Sequence, residues 1–334
     1  MHPEPAPSHR TATALPVPVS LLDRSRTRVG EPAGAALHHT VERARRAEQL
    51  GMGRFWVAEH HAVPGIASGS PPLLMAQIAA RTSRIRVGSG GVMLPNHSPI
   101  VVAEQARMLE ALHPGRIDLG VGRSLGFTTP VRRALGVERY DPERFAEDLT
   151  DLVAYLEDAG PVTVMPRDVP APPVLVLANR AGLSVAARLG LPVVVGGPIL
   201  RGDLGPLEDY RREFRPREGH PGPNVIISMD VMIADTAKHA RELLLPEAWA
   251  MAESRATGAF PPLRPDPPER LTPKQEAVVE QQLQMAVHGT VDQVLTELGE
   301  LVERTGASEV LASTSTYDRD ALAEADAALA ALSG

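Results

Sequence analysis

Residues 55–61 read FWVAEHH, an apolar run that ends in one carboxylate and two adjacent imidazoles, Glu59, His60 and His61. Such a group can chelate a cation or move a proton near neutral pH. Adjacent residues on an extended chain point to opposite faces, so His60 and His61 cannot both aim at one ion, and the chain has no His-x-His pair. His97 and His113 stand at no supporting spacing, so no metal site is expected. A single inward imidazole with a carboxylate neighbour suits proton transfer, which makes His60 the candidate catalytic group and Glu59 its neighbour. The structural alternative is a histidine satisfied by a hydrogen bond at a strand end.

Three further polar or glycine-rich clusters follow: Gly88-Ser89-Gly90-Gly91, Gly120-Val121-Gly122-Arg123-Ser124 and Asn179-Arg180. The glycines of GVGRSLG (120–126) fall as G-x-G-x-x-x-G, with no strand–turn–helix unit and acidic residue about 20 positions on, as a dinucleotide site requires. Glycine here lets a flat ligand or a phosphate approach the backbone, with Arg123 as its cation. Pairing of Arg123 with Asp118 or with a helix-end carboxylate is the alternative.

These clusters need elements to position them. Strand patterns occur at 15–22, 54–61, 84–94, 116–122, 173–178, 192–197, 224–235 and 308–314. Helical spacing occurs between them, at 35–51, 71–83, 99–115, 142–160 and 182–190 among others. Eight strands alternating with helices predict an α/β fold, a (β/α)8 TIM barrel with insertions, for which 334 residues are ample. In such a barrel the site gathers at the C-terminal ends of the strands, where the four clusters fall. The division expected is a disordered, Pro-rich arm over 1–14 and a single barrel domain over 15–334. Seven prolines in 246–274 argue against a continuous helix there and predict a mobile insertion or lid.

Composition narrows the chemistry. The chain has no cysteine, which excludes disulfides, thiolate metal sites and thiol nucleophiles. A formal net charge of -7 gives no reason to expect nucleic acid as a partner. No apolar stretch approaches the roughly 20 residues of a membrane span, and the N-terminus lacks a signal-type apolar region, so a cytoplasmic enzyme is expected.

The run from Phe55 to Arg123, with ARLGLP (187–192) and HGTVDQVLTELGELVERTGASEVLAST (288–314), resembles the bacterial luciferase-like, flavin-dependent monooxygenases. The resemblance implies a barrel that binds reduced flavin mononucleotide (FMN) from a separate flavin reductase and reacts it with O2. A flavin hydroperoxide then oxygenates a small organic substrate by epoxidation, hydroxylation or Baeyer-Villiger insertion; natural-product intermediates are candidate substrates. It also implies a homodimer. By motif position His60 matches the catalytic histidine, Gly90 and Gly91 the strand-three pair beneath the flavin ring, and Arg123 the phosphate arginine. The strand-five turn departs from the pattern: Asn179 and Arg180 replace a Ser-rich turn, with Ser184 and helix N-terminal amides left to complete a phosphate cradle. Glu59, Gly90, Gly91, Arg123, Asn179, Arg180 and Ser184 are therefore the candidate cofactor contacts. A deazaflavin-dependent hydride-transfer enzyme and a non-catalytic flavin-binding protein are the alternatives.

Overall fold

The computed structural model describes residues 14–333, so the arm expected over 1–14 lies, but for Ala14, outside the described residues. The chain begins with β1 (Val19–Asp23), α1 (Ala35–Gln49), β2 (Arg54–Val57), α2 (Pro71–Ala79), β3 (Arg86–Ser89) and β4 (Val92–Met93). It continues with α3 (Pro99–Leu112), β5 (Ile117–Gly122), α4 (Thr129–Ala134), α5 (Pro142–Leu156), β6 (Val174–Ala178) and α6 (Arg180–Leu189). Next come β7 (Val193–Gly196), α7 (Pro198–Arg201), α8 (Gly205–Glu213), β8 (Val225–Met229), β9 (Val231–Ile233) and α9 (Ala237–Thr257). The last elements are α10 (Pro273–Met285), β10 (Val287–Gly289), α11 (Val291–Thr305), β11 (Glu309–Ala312) and α12 (Arg319–Leu332).

All main-sheet pairings are parallel, and the order β3-β2-β1-β11-β8-β7-β6-β5-β4 closes on itself because β3 also pairs with β5. β3 and β4 are one barrel strand interrupted at Gly90 and Gly91, which leaves eight strands in the closed (β/α)8 barrel. Leu22, Trp56, Ala58, Leu175, Val194, Ile226 and Leu311 fill its interior. The outward strand residues, Phe55 and Val87 among them, join the helices in the main apolar core. This double burial explains why the strands read as continuous apolar runs.

At the N-terminal end of the barrel a charge cluster closes the interior. Asp118 is fully buried and accepts hydrogen bonds from Arg54 at 2.6 Å, Arg86 at 3.0 Å and the Trp56 indole at 3.1 Å. Asp118 is thus engaged at the end of β5 opposite Arg123.

Two local expectations change. The strand pattern over 224–235 breaks at Asp230 into β8, in the barrel, and β9, which pairs with β10 in a separate two-stranded sheet. The expectation that proline excludes a helix after residue 246 is corrected: α9 runs through Pro246 to Thr257. An internal proline costs roughly 3 kcal/mol of helix stability. Tertiary packing outweighs it, because Ala240, Leu244, Ala248 and Ala252 bury against Val279 and Leu283 of α10. Beyond the helix, Phe260 and Leu263 are buried with Val63 and Ile66, and Val29 donates its amide to the Leu263 carbonyl.

Between the two helices the chain is open at Pro265, Asp266, Pro267, Glu269 and Arg270, all exposed and outside any helix or strand. Limited trypsin digestion is expected to cut first at Arg270, since Pro265 protects the bond after Arg264, and to spare Arg255 within α9. First cleavage at Arg255, or equal resistance across the segment, would contradict this anchoring.

Candidate active site at the barrel mouth

The barrel strands surround a cavity of about 650 Å³, which Glu59, His60, Gly90, Gly91, Arg123 and Asn179 help to line. β2 stops at Val57, and the following residues are tied to a neighbouring loop: the His60 amide donates to the Ser68 carbonyl at 2.9 Å, and the Ser68 hydroxyl donates to the Ala58 carbonyl at 2.6 Å. This clamp sends His60 one way and Glu59 with His61 the other. Glu59 nonetheless reaches the cavity wall, where sequence alternation had it face elsewhere.

The Glu59 carboxylate is buried and accepts from three donors: His61 Nε2 at 2.6 Å, His97 Nε2 at 2.8 Å and the Met93 amide at 2.9 Å. Burial by itself would raise its pKa. The hydrogen bonds from both imidazoles and the Met93 amide outweigh that effect and hold it at about 2. His60 behaves in the opposite sense. Burial, reinforced by the charges of Arg24 and Arg26, lowers it to about 4, so it is neutral at pH 7. Its ring centroid lies 5.6 Å from that of Phe127, and its Nδ1 is buried with no hydrogen-bond partner among the described residues.

The Gly90–Gly91 peptide, which is cis, forms one wall. A Cβ on Gly91 would stand 2.8 Å from the Gly120 carbonyl oxygen, and one on Gly90 would collide with the Leu22 side chain. Gly122 and Gly196 also line the cavity, so much of that wall is backbone. A flat ligand can therefore approach the chain closely.

Two arginines bring positive charge to the cavity lining. Arg123 projects from the end of β5 and has no carboxylate partner among the described residues; Arg132 of α4 stands beside it, with its Nε donating to the Gly126 carbonyl at 2.7 Å. Asn179 caps α6, its Oδ1 accepting the Gly182 amide at 3.2 Å. The structure does not bring Arg180 and Ser184 to the cavity. Arg180 points outward and pairs with Asp203 at 3.0 Å, while the Ser184 hydroxyl accepts from Arg188 at 2.8 Å. The helix starts at Arg180 because Asn179 is an effective N-cap, and the first helical side chain then turns away from the barrel axis.

A second layer of residues escaped the sequence reading. Arg24 and Arg26, just beyond β1, meet Glu247 of α9: Arg24 Nη1 lies 3.2 Å from Glu247 Oε1 and Arg26 Nε 2.8 Å from Oε2. Arg24 also pairs with Asp230 at 3.1 Å. The Arg26 guanidinium lies 4.3 Å from the centroid of the Phe260 ring, which neighbours Phe127 at 5.6 Å. Helix α9 is thereby linked to His60 by way of Arg26, Phe260 and Phe127, through one ion pair, one cation–aromatic contact and two ring contacts. The alternating charges of DRSRTR (23–28) at a strand end were the available signal.

The luciferase-like monooxygenase family model matches residues 17–309, and the chain belongs to that family. It is 33% identical over 315 residues to a luciferase-like monooxygenase of Escherichia coli K12, covering 90% of this chain and 92% of the relative. It is 37% identical over 233 residues to an N-acetyl-S-alkylcysteine monooxygenase of Bacillus subtilis, covering 67% and 69% of the two chains. The crystal structure of apo-MsnO8 superposes with a TM-score of 0.82 at 33% identity, covering 94% of this chain and 97% of that one. The protein is therefore an enzyme of a flavin-binding monooxygenase family. Among the described residues no helix is long and apolar enough to cross a membrane.

Proposed function

We propose that the enzyme uses reduced FMN and O2 to oxygenate a small organic substrate in this cavity. The observation that carries the reading is the juxtaposition around one space of a side-chain-free peptide wall at Gly90 and Gly91 with His60 Nδ1 and Arg123, neither of which has a partner among the described residues. Its volume of about 650 Å³ lies within the ~300–1,000 Å³ typical of cofactor pockets. When bound, the flavin supplies activation of O2. The chain's own residues supply the remainder: the glycine wall supports a planar ring, Arg123 and the first amides of α6 receive a phosphate, and His60 handles a proton at Nδ1. Arg180 joins the phosphate only by giving up Asp203.

A separate flavin reductase as the source of reduced cofactor, and a cytoplasmic setting, are part of the same reading. So is a homodimer. The outer faces of α2 and α3 support it, since Leu73 is 75% and Leu112 66% exposed. Light scattering or sedimentation would test this, and a monomer at micromolar concentration would remove it.

The cofactor is tested by offering the purified enzyme reduced FMN or reduced deazaflavin in air, with candidate substrates, and following O2 uptake and product. Oxygenated product with FMN is expected. Hydride transfer from the deazaflavin without O2 uptake would replace this reading with that of a deazaflavin-dependent oxidoreductase.

Arg123→Ala is expected to weaken FMN binding by about 1.5–3 kcal/mol, the worth of a charge-assisted contact, while riboflavin, which lacks the phosphate, binds as before. Flavin fluorescence titrations of both ligands decide it. Equal losses would take Arg123 out of the phosphate site.

A further inference from the structure

Beside the cavity wall, three side chains converge that the oxygenation chemistry leaves without a task beyond mutual hydrogen bonding. Glu59 Oε1 lies 2.6 Å from His61 Nε2 and 2.8 Å from His97 Nε2, and the three donor atoms all fall within 4.8 Å of one another. Bonds of about 2.1 Å to one tetrahedral ion place neighbouring ligands roughly 3.4 Å apart, so each histidine would move back from Glu59 by about 1 Å or less to admit it. The arrangement is also held from behind. The other carboxylate oxygen accepts the Met93 amide at 2.9 Å, and His97 follows the 3-10 turn Leu94–Asn96 with its own amide donating to the Leu94 carbonyl at 3.0 Å.

We propose that Glu59, His61 and His97 form a site for a divalent transition-metal ion, reached from solvent and separated from the cofactor cavity by the Glu59 carboxylate. Two neutral imidazoles and one carboxylate form a donor set suited to Zn2+, Co2+ or Ni2+, whereas Mg2+ and Ca2+ call for oxygen ligands. The side chains of His61 and His97 are 20% and 31% exposed, which gives an ion access. The metal would replace the two N–H donors at Oε1, and each imidazole would carry its proton on Nδ1, which has no hydrogen-bond partner among the described residues. Because the Met93 bond uses Oε2, ion binding leaves it intact. His60 plays no part, in keeping with its turn to the opposite side.

The test uses the full-length, untagged enzyme, stripped with a chelator and titrated with Zn2+ by calorimetry and with Co2+ by visible absorption. One site is expected. H61Q and H97Q should each weaken it by about 100-fold or more, since even supporting partners of metal ligands are worth about 10–100-fold. H113Q should leave it unchanged. Circular dichroism checks that each variant is folded. A second measurement keeps the question open to decision if a variant fails to fold: bound Co2+ should shift the imidazole proton resonances of His61 and His97 and spare His113. No binding at millimolar Zn2+, affinities unaltered in both variants, or Co2+ shifts confined to other histidines would each overturn the site. None of these readouts depends on flavin or turnover, so failure here is distinct from failure of the oxygenation reading.

Discussion

His60→Ala is expected to lower turnover by about 10²–10⁴-fold with little change in flavin affinity, the usual contribution of a positioned acid–base group. The imidazole lines the cavity, its Nδ1 has no partner among the described residues, and its ring lies beside Phe127. His61→Ala should be milder, because His61 contacts Glu59 and does not line the cavity. The comparison is made as substrate oxygenation with reductase in excess, beside flavin titration. Near-full turnover in His60→Ala, or joint loss of flavin and fold, would make the imidazole structural.

The depressed pKa gives the same residue a pH signature. Burial and the nearby arginines lower it from 6.5 to about 4, so the acid limb that His60 imposes on kcat/KM should lie near pH 4. Between these values the unfolded chain binds a proton at this position that the folded chain does not. Its contribution to stability is therefore complete above pH 6.5 and is lost as the pH falls toward 4. Denaturant midpoints at pH 7 and pH 5 should diverge less in His60→Ala than in the wild type.

Glu247→Ala is expected to cost about 3–5 kcal/mol of stability, the range for removing one partner of a buried ion pair. Glu247 and Arg26 are buried on both sides of the contact, with side-chain exposures of 5% and 2%. Without the carboxylate, Arg26 keeps only carbonyl oxygens and the face of Phe260, while Arg24 retains Asp230. Urea denaturation reads the loss directly. Adding Arg26→Met should recover part of it, because the uncompensated charge and not the missing contact carries most of the cost. A loss below about 1 kcal/mol would show that water or movement of α9 relieves the charge.

The sequence by itself determined the barrel, the order of its strands and the cluster at their ends. Each of those features is written in local apolar periodicity and in short runs such as FWVAEHH and RIRVGSGG, where neighbours in the chain are neighbours in space. It also set His60 apart from His61, although β2 ends at Val57 and the tie to Ser68, in place of strand alternation, orients them. Tertiary structure alone decided the rest. Pro246 lies within a helix because packing against α10 outweighs propensity, a balance absent from the local sequence. Arg180 leaves the ligand cavity because Asn179 caps the helix and Asp203, far along the chain, takes the charge. The meeting of Glu59 with His97, and of Glu247 with Arg24 and Arg26, depends on barrel closure and on the docking of α9. Charge pairing acts across space and leaves no period in the chain, so only the folded molecule could show which carboxylate each cation would find.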